Sequence, residues 1–274
     1  MTLAPGGPLL LVGAGKMGGA MLQGWLKQGL DPTHVTIRDP SPAPEITALA
    51  QREGITVTDA GWPGEAPPAA VVLAVKPQVM GDVLPPLKAL IGENTVVLSI
   101  AAGKTIASIA AHLGPDVAIV RAMPNTPAAI GQGISAACAS ATVSEGQKRV
   151  CEYLLAAVGE VVWVEQEALL DPVTAVSGSG PAYVFLLAEC LADAGVAAGL
   201  ERGLAMKLAC ATVAGAGALL RESGLDPATL RQNVTSPGGT TEAALEILMG
   251  EGGLPDLLKR AVARAAERSR ELAS

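Results

Sequence analysis

Leu9-Leu10-Leu11-Val12-Gly13-Ala14-Gly15-Lys16-Met17-Gly18 decides the fold of this chain. Four apolar residues read as a buried strand. A G-x-G-x-x-G pattern follows at once and opens the amphipathic run 16–29. On its own that pattern is a glycine-rich turn. Between a strand and a helix each glycine acquires a duty: Gly13 permits the tight turn, Gly15 lets a pyrophosphate approach the backbone, and Gly18 lets the helix pack on the strand. The stretch therefore predicts a dinucleotide-binding βαβ unit, with Gly13, Ala14, Gly15, Lys16, Met17 and Gly18 as cofactor contacts.

Downstream, residues 34–38, 71–75, 96–100 and 117–121 read as further strands, separated by helical runs at 43–52, 79–91 and 105–112. Such alternation predicts an α/β domain, a doubly wound parallel sheet of Rossmann type. Two more strand-like runs, 133–139 and 161–165, flank a helix over 144–157. Strand patterns then stop, and 181–194, 201–223, 227–233, 241–249 and 255–272 all read as helices. The expected division is a dinucleotide-binding domain over 1–165 and an all-helical domain over 166–274. A helical domain this small and this apolar cannot cover its own surface, which predicts helix packing between subunits.

Half of the 274 residues are hydrophobic but only 2% are aromatic, so the core is aliphatic. The formal charge of -7 argues against nucleic acid and anionic membranes as partners. The N-terminal residues carry no basic n-region and no cleavable apolar run, and the scattered thiols read as those of a reducing cytoplasm. The apolar stretch 182–200 contains Glu189 and Asp193 and reads as a buried helix rather than a membrane span. Cys138, Cys151, Cys190 and Cys210 lie far apart and read as small buried thiols, with no metal set among them. His34 and His112, the two histidines, lack the neighbours of a catalytic base.

The candidate site residues follow the strand ends. Asp39, after the second strand, stands where an acid binds the adenosine ribose of NAD, whereas Arg38 and Ser41 suit the 2′-phosphate of NADP. Asp39-Pro40-Ser41 also reads as an Asx-type turn. Ala74-Val75-Lys76-Pro77 and the Ala101-Ala102-Gly103 stretch end the next two strands and suit close approach to a cofactor. Asn125, in a Pro-Asn-Thr-Pro tip that admits a cis bond, suits the nicotinamide amide or the substrate. Ser177-Gly178-Ser179-Gly180-Pro181 starts the long helix, with Pro181 at its first position. Ser236-Pro237-Gly238-Gly239-Thr240-Thr241 is the most telling stretch of the second half: a tight glycine turn and two hydroxyls at a helix N-terminus form an anion site.

Taken together, residues 13–18, Ala74-Val75-Lys76-Pro77-Gln78, Arg121-Ala122-Met123-Pro124-Asn125-Thr126-Pro127, Ser177-Gly178-Ser179-Gly180-Pro181-Ala182-Tyr183 and Ser236-Pro237-Gly238-Gly239-Thr240-Thr241 resemble the pyrroline-5-carboxylate reductase family. The resemblance spans nearly the whole chain. It implies reduction of L-Δ1-pyrroline-5-carboxylate to L-proline, the last step of proline biosynthesis, with NADP(H) favoured and NAD(H) accommodated. It implies a homodimer of interlocked C-terminal helices that can assemble further. It also implies a site in which the cofactor lies on one subunit and the substrate loop comes from the other. Thr241 is then expected at the imine nitrogen, Ser236, Gly238, Gly239, Thr240 and Asn125 around the substrate, and Glu167 near the cofactor. A 3-hydroxyacid dehydrogenase of the hydroxyisobutyrate type is the rival enzyme. Gly195, Gly199, Gly203 and Lys207 echo its pattern, but position 211 is Ala where it needs Asn. A non-catalytic dinucleotide-binding regulator explains residues 13–18 but gives no use for the 236–241 loop.

Overall fold

A computed structural model describes residues 6–59 and 61–273. The described residues form two compact units. One comprises the chain up to Gly178 together with the residues from Ala266 on, and the other is Ser179–Ala265.

The first unit is built on eight strands: β1 (Leu9–Val12), β2 (Val35–Arg38), β3 (Thr56–Thr58), β4 (Ala70–Leu73), β5 (Val96–Ser99), β6 (Ala118–Met123), β7 (Gly133–Ala139) and β8 (Gly159–Trp163). Their spatial order is β3-β2-β1-β4-β5-β6-β7-β8. The six strands up to β6 are parallel, as alternation with helices requires, and the chain order reverses direction across the sheet at β1/β4. β7, outside the alternating part of the chain, runs antiparallel to β6, and β8 is parallel to β7. The link from Met123 to Gly133 is too short for a parallel crossover, which needs a dozen or more residues. β3, unanticipated in the sequence, is a three-residue edge strand entered through left-handed Gly54, at φ 72°.

Helices α1 (Lys16–Lys27), α2 (Pro44–Glu53) and α5 (Glu145–Ala156) cover one sheet face; α3 (Met80–Leu87) and α4 (Ile106–Leu113) cover the other. Alternate residues of β1 serve the two sides. Leu9 and Leu11 pack with Met21, Leu22 and Trp25 of α1, whereas Leu10 and Val12 pack with Met80 and Leu84 of α3. The indole N–H of Trp25 donates to the Leu154 carbonyl of α5 at 2.8 Å, so its burial leaves no polar atom unpaired. Residues after β8 remain with this unit, through a short 3-10 turn, α6 (Leu170–Val173) and a π-helical turn over Thr174–Gly178. Leu170 is fully buried against Ala136 and Cys138 of β7. The chain therefore leaves the first unit at Gly178, later than the composition change at 165.

The second unit contains α7 (Gly180–Ala197), α8 (Arg202–Ser223), α9 (Pro227–Asn233), α10 (Thr240–Met249) and the first turns of α11 (Leu254–Ala273). The antiparallel pair α7/α8 closes over small residues, with Gly195 facing Ala205. Of α7 only Ala192 is buried, so the expected buried helix over 182–200 is covered on just one side within the chain. Phe185, Leu186, Leu187, Leu208 and Ile247 are exposed. Two helical stretches, Glu167–Ala197 and Arg202–Ser223, have the length and apolarity to cross a membrane. The cysteines divide likewise: Cys138 and Cys151 are buried, Cys190 and Cys210 exposed, contrary to the expectation of four buried thiols.

Candidate functional site

The parallel strands end in one row, in which Arg38, Val12, Leu73, Ser99 and Arg121 are register partners across β2-β1-β4-β5-β6. The residues that follow them form the C-terminal edge of the sheet, where open α/β sheets bind ligands. Gly13 turns the chain there at φ 90°, and a Cβ on it would lie 2.7 Å from Val75 and 2.8 Å from the Ala74 carbonyl oxygen. A Cβ on Gly18 would collide with the Gly13 carbonyl oxygen, so the third glycine of the pattern holds α1 against the turn. A Cβ on Gly15 would meet nothing within 4 Å. That open space over a helix N-terminus is the cradle a pyrophosphate needs, and the first turn of α1 carries no acidic residue to oppose it. The residues present therefore fit a dinucleotide.

Asp39 closes this edge. Its Oδ2 accepts the Ala14 N–H at 2.8 Å and its Oδ1 accepts the Ser41 N–H at 2.9 Å. The expected Asp39-Pro40-Ser41 turn exists, and the same carboxylate reaches the fingerprint loop. Ala74 and Val75 are half-buried beyond β4, and exposed Lys76 precedes the 3-10 turn begun by Pro77. Ala101 is buried, Ala102 exposed, and Gly103 takes φ 71° before α4.

Three of the expected site residues carry hydrogen bonds within the protein. Asn125 donates from Nδ2 to the Ser177 carbonyl at 3.2 Å and accepts the Ile134 N–H at 3.0 Å, so its amide braces three backbone segments. The prolines beside it form no cis bond; none occurs among the described residues. Glu167 Oε1 accepts from Arg121 Nη1 at 2.9 Å and from the Ile106 N–H at 2.8 Å. Its charge faces the N-terminus of α4, a favourable dipole position, and neutralises a guanidinium only 7% exposed. Burial pushes the nearby Cys138 thiol up from its ordinary value, with Glu167 adding to the shift and Arg121 opposing it.

The third is Gly238, in the loop between α9 and α10. It sits at φ 69°, and its N–H, expected to meet the substrate carboxylate, donates to Glu242 Oε2 at 2.7 Å. Gly239, the N-cap, likewise donates to the Ser236 carbonyl at 2.9 Å. The amides of Thr240, Thr241 and Glu242 occupy the first helical turn, where N–H groups lack intrahelical partners. Thr241 is half-buried and Thr240 and Ser236 exposed. Glu242 is absent from the candidates that the sequence suggests, although it carries a signal: an acid in the first helical turn suits the helix N-terminus, and here it reaches back to the residue before the N-cap. No group of three or more His, Cys, Asp or Glu able to hold a metal occurs among the described residues.

Comparison with known proteins brings the two halves together. Residues 167–272 match a family described as pyrroline-5-carboxylate reductase dimerisation, and residues 9–103 match one described as NADP oxidoreductase, coenzyme F420-dependent. The pyrroline-5-carboxylate reductase of Pseudomonas aeruginosa is 41% identical over 265 residues, covering 97% of this chain and 96% of that protein. The enzyme of the same name from Synechocystis is 47% identical over 203 residues, 74% of each chain. A solved pyrroline-5-carboxylate reductase from Coxiella burnetii superposes with a TM-score of 0.91 at 36% identity, covering 98% of this chain and 99% of that one. A Plasmodium falciparum structure described as pyrroline carboxylate reductase with NADP bound gives 0.82 at 28% identity, covering 99% and 100%.

Proposed function

This chain belongs to the pyrroline-5-carboxylate reductase family, and from that premise we propose how its residues serve the reaction. It is an NAD(P)H-dependent oxidoreductase that reduces the C=N bond of L-Δ1-pyrroline-5-carboxylate to give L-proline. The reduced nicotinamide supplies the hydride; NADH and NADPH carry the same reacting ring and differ only at the adenosine end.

In this reading Gly13, Ala14, Gly15, Lys16, Met17 and Gly18 hold the pyrophosphate, and Ala74, Val75, Lys76, Pro77, Ala101 and Ala102 line the path of the dinucleotide. Glu167 and Asn125 act at one remove, by fixing the N-terminus of α4 and the loop after β6. The substrate carboxylate is held by the hydroxyl of Ser236 and the first-turn amides of Thr240 and Thr241. Gly238 and Gly239 shape that turn, their own N–H groups being engaged. The Thr241 hydroxyl hydrogen-bonds the imine nitrogen and fixes the ring for attack, an orientation task more than an acid's. A threonine is too weak an acid to drive proton transfer, so the nitrogen takes its proton from water or enters the site already protonated, as the iminium.

The helical stretch 166–274 serves as the dimerisation and substrate-binding domain, its exposed apolar faces interlocking with those of a second copy and allowing assembly beyond the dimer. The loop of one subunit then serves a dinucleotide held by its partner, in a cytoplasmic enzyme. The 236–241 loop at the head of a ten-residue helix is the observation that carries the site assignment. The purified protein is expected to oxidise NADH or NADPH when given pyrroline-5-carboxylate and to ignore 3-hydroxyisobutyrate. Absence of turnover with either dinucleotide overturns the reading.

A further inference from the structure

We infer that Asp39 selects the dinucleotide, and that it selects NADH over NADPH. The inference rests on the reading that this sheet edge binds a nicotinamide dinucleotide, and it departs from the NADP(H) preference the resemblance implies.

The carboxylate is held in place from two directions. Asp39 continues the ladder beyond β2, its N–H donating to the Thr58 carbonyl at 3.0 Å. It therefore shares a sheet face with Ile37, the face covered by α1. From there Oδ2 spans 25 residues of sequence to reach the Ala14 N–H, inside the glycine turn. A carboxylate bonded to the fingerprint loop at the end of β2 lies at the adenosine end of a bound dinucleotide.

Chemistry then discriminates. An ionised carboxylate has about four acceptor positions, and the two N–H groups use one on each oxygen. One position per oxygen remains, enough for the two adenosine ribose hydroxyls of NADH. A 2′-phosphate removes one of those donors and brings a charge of about −1.5 to −2 against the carboxylate. Asp39 is held at both oxygens and swings aside only by giving up both backbone bonds. The cation best placed in sequence to offset the clash is Arg38, but strand alternation puts its side chain on the sheet face opposite Ile37. Ser41, the other candidate for a 2′-phosphate, brings no charge and has its N–H committed to Asp39, which leaves its hydroxyl as a neutral donor.

Calorimetric titration of the intact wild-type protein with NADH and with NADPH tests this directly, and initial rates provide a second readout. NADH is expected to bind about tenfold or more tightly than NADPH. Asp39→Asn keeps an acceptor for Ala14 but removes the charge, and Asp39→Ala removes both. Each is expected to narrow the ratio by about tenfold, chiefly by tightening NADPH. A wild type that binds NADPH as tightly as NADH, or a ratio unmoved in both variants, overturns the inference while leaving the reductase reading intact. Failure of the wild type to bind either dinucleotide instead overturns the reading on which the inference rests.

Discussion

At the scale of single residues, the role proposed for Thr241 rests on its neighbours. Gly238 at φ 69° and Gly239 at the N-cap bend the chain so that the hydroxyl stands in the first turn of α10, beside amides without helical partners. Thr241→Ala is expected to lower kcat by up to about a hundredfold, the worth of about 1–3 kcal/mol of one positioning hydrogen bond. Thr241→Ser is expected to recover most of that loss in the same steady-state assay. A fully active alanine variant would show that the hydroxyl does not touch the reacting nitrogen. Gly13 and Gly18 are legible in the sequence because their roles depend only on local geometry. Asn125 and Gly238 are less so, because the partners that engage them lie outside any local pattern or in a faint one. Ser177 and Ile134 reach Asn125 through tertiary structure, and Glu242 reaches Gly238 through a cap with a weak signal.

At the scale of elements, every long helix and seven of the eight strands stand out in the pattern of the sequence; edge strand β3 does not. Buried parallel strands are nearly continuous apolar runs, whereas Thr56–Thr58 is short, largely polar and paired on one side. The reversal at β7 is hidden for a different reason: apolar content marks a strand but carries no direction, and only the length of the preceding link does. The junction of β6 with α4 depends on a long-range pair. Glu167→Ala leaves the nearly buried Arg121 without its counter-charge and Ile106 without an acceptor. It is expected to cost about 2–3 kcal/mol in chemical denaturation. Glu167→Gln, which retains an acceptor, is expected to cost less, and equal losses in the two variants would show that the charge is irrelevant there.

At the scale of the whole molecule, composition announces an apolar helical half that one chain cannot cover, and the exposed faces of α7 and α8 bear this out. What composition cannot reveal is the route of the backbone. The chain leaves the first unit at Gly178 and comes back to it at Ala266. There the Ser269 hydroxyl donates to Asp171 Oδ1 at 2.6 Å, and the carbonyl of Leu272 would lie 3.0 Å from a Cβ on Gly103. Topologically the helical unit is an insertion, tethered at both ends rather than appended at one. Anchoring both ends of a long segment shrinks the conformational freedom of its unfolded form, a gain that grows slowly with loop length. The two units should therefore melt in one calorimetric transition, and removing residues 266–274, which leaves a single tether, should split it into two.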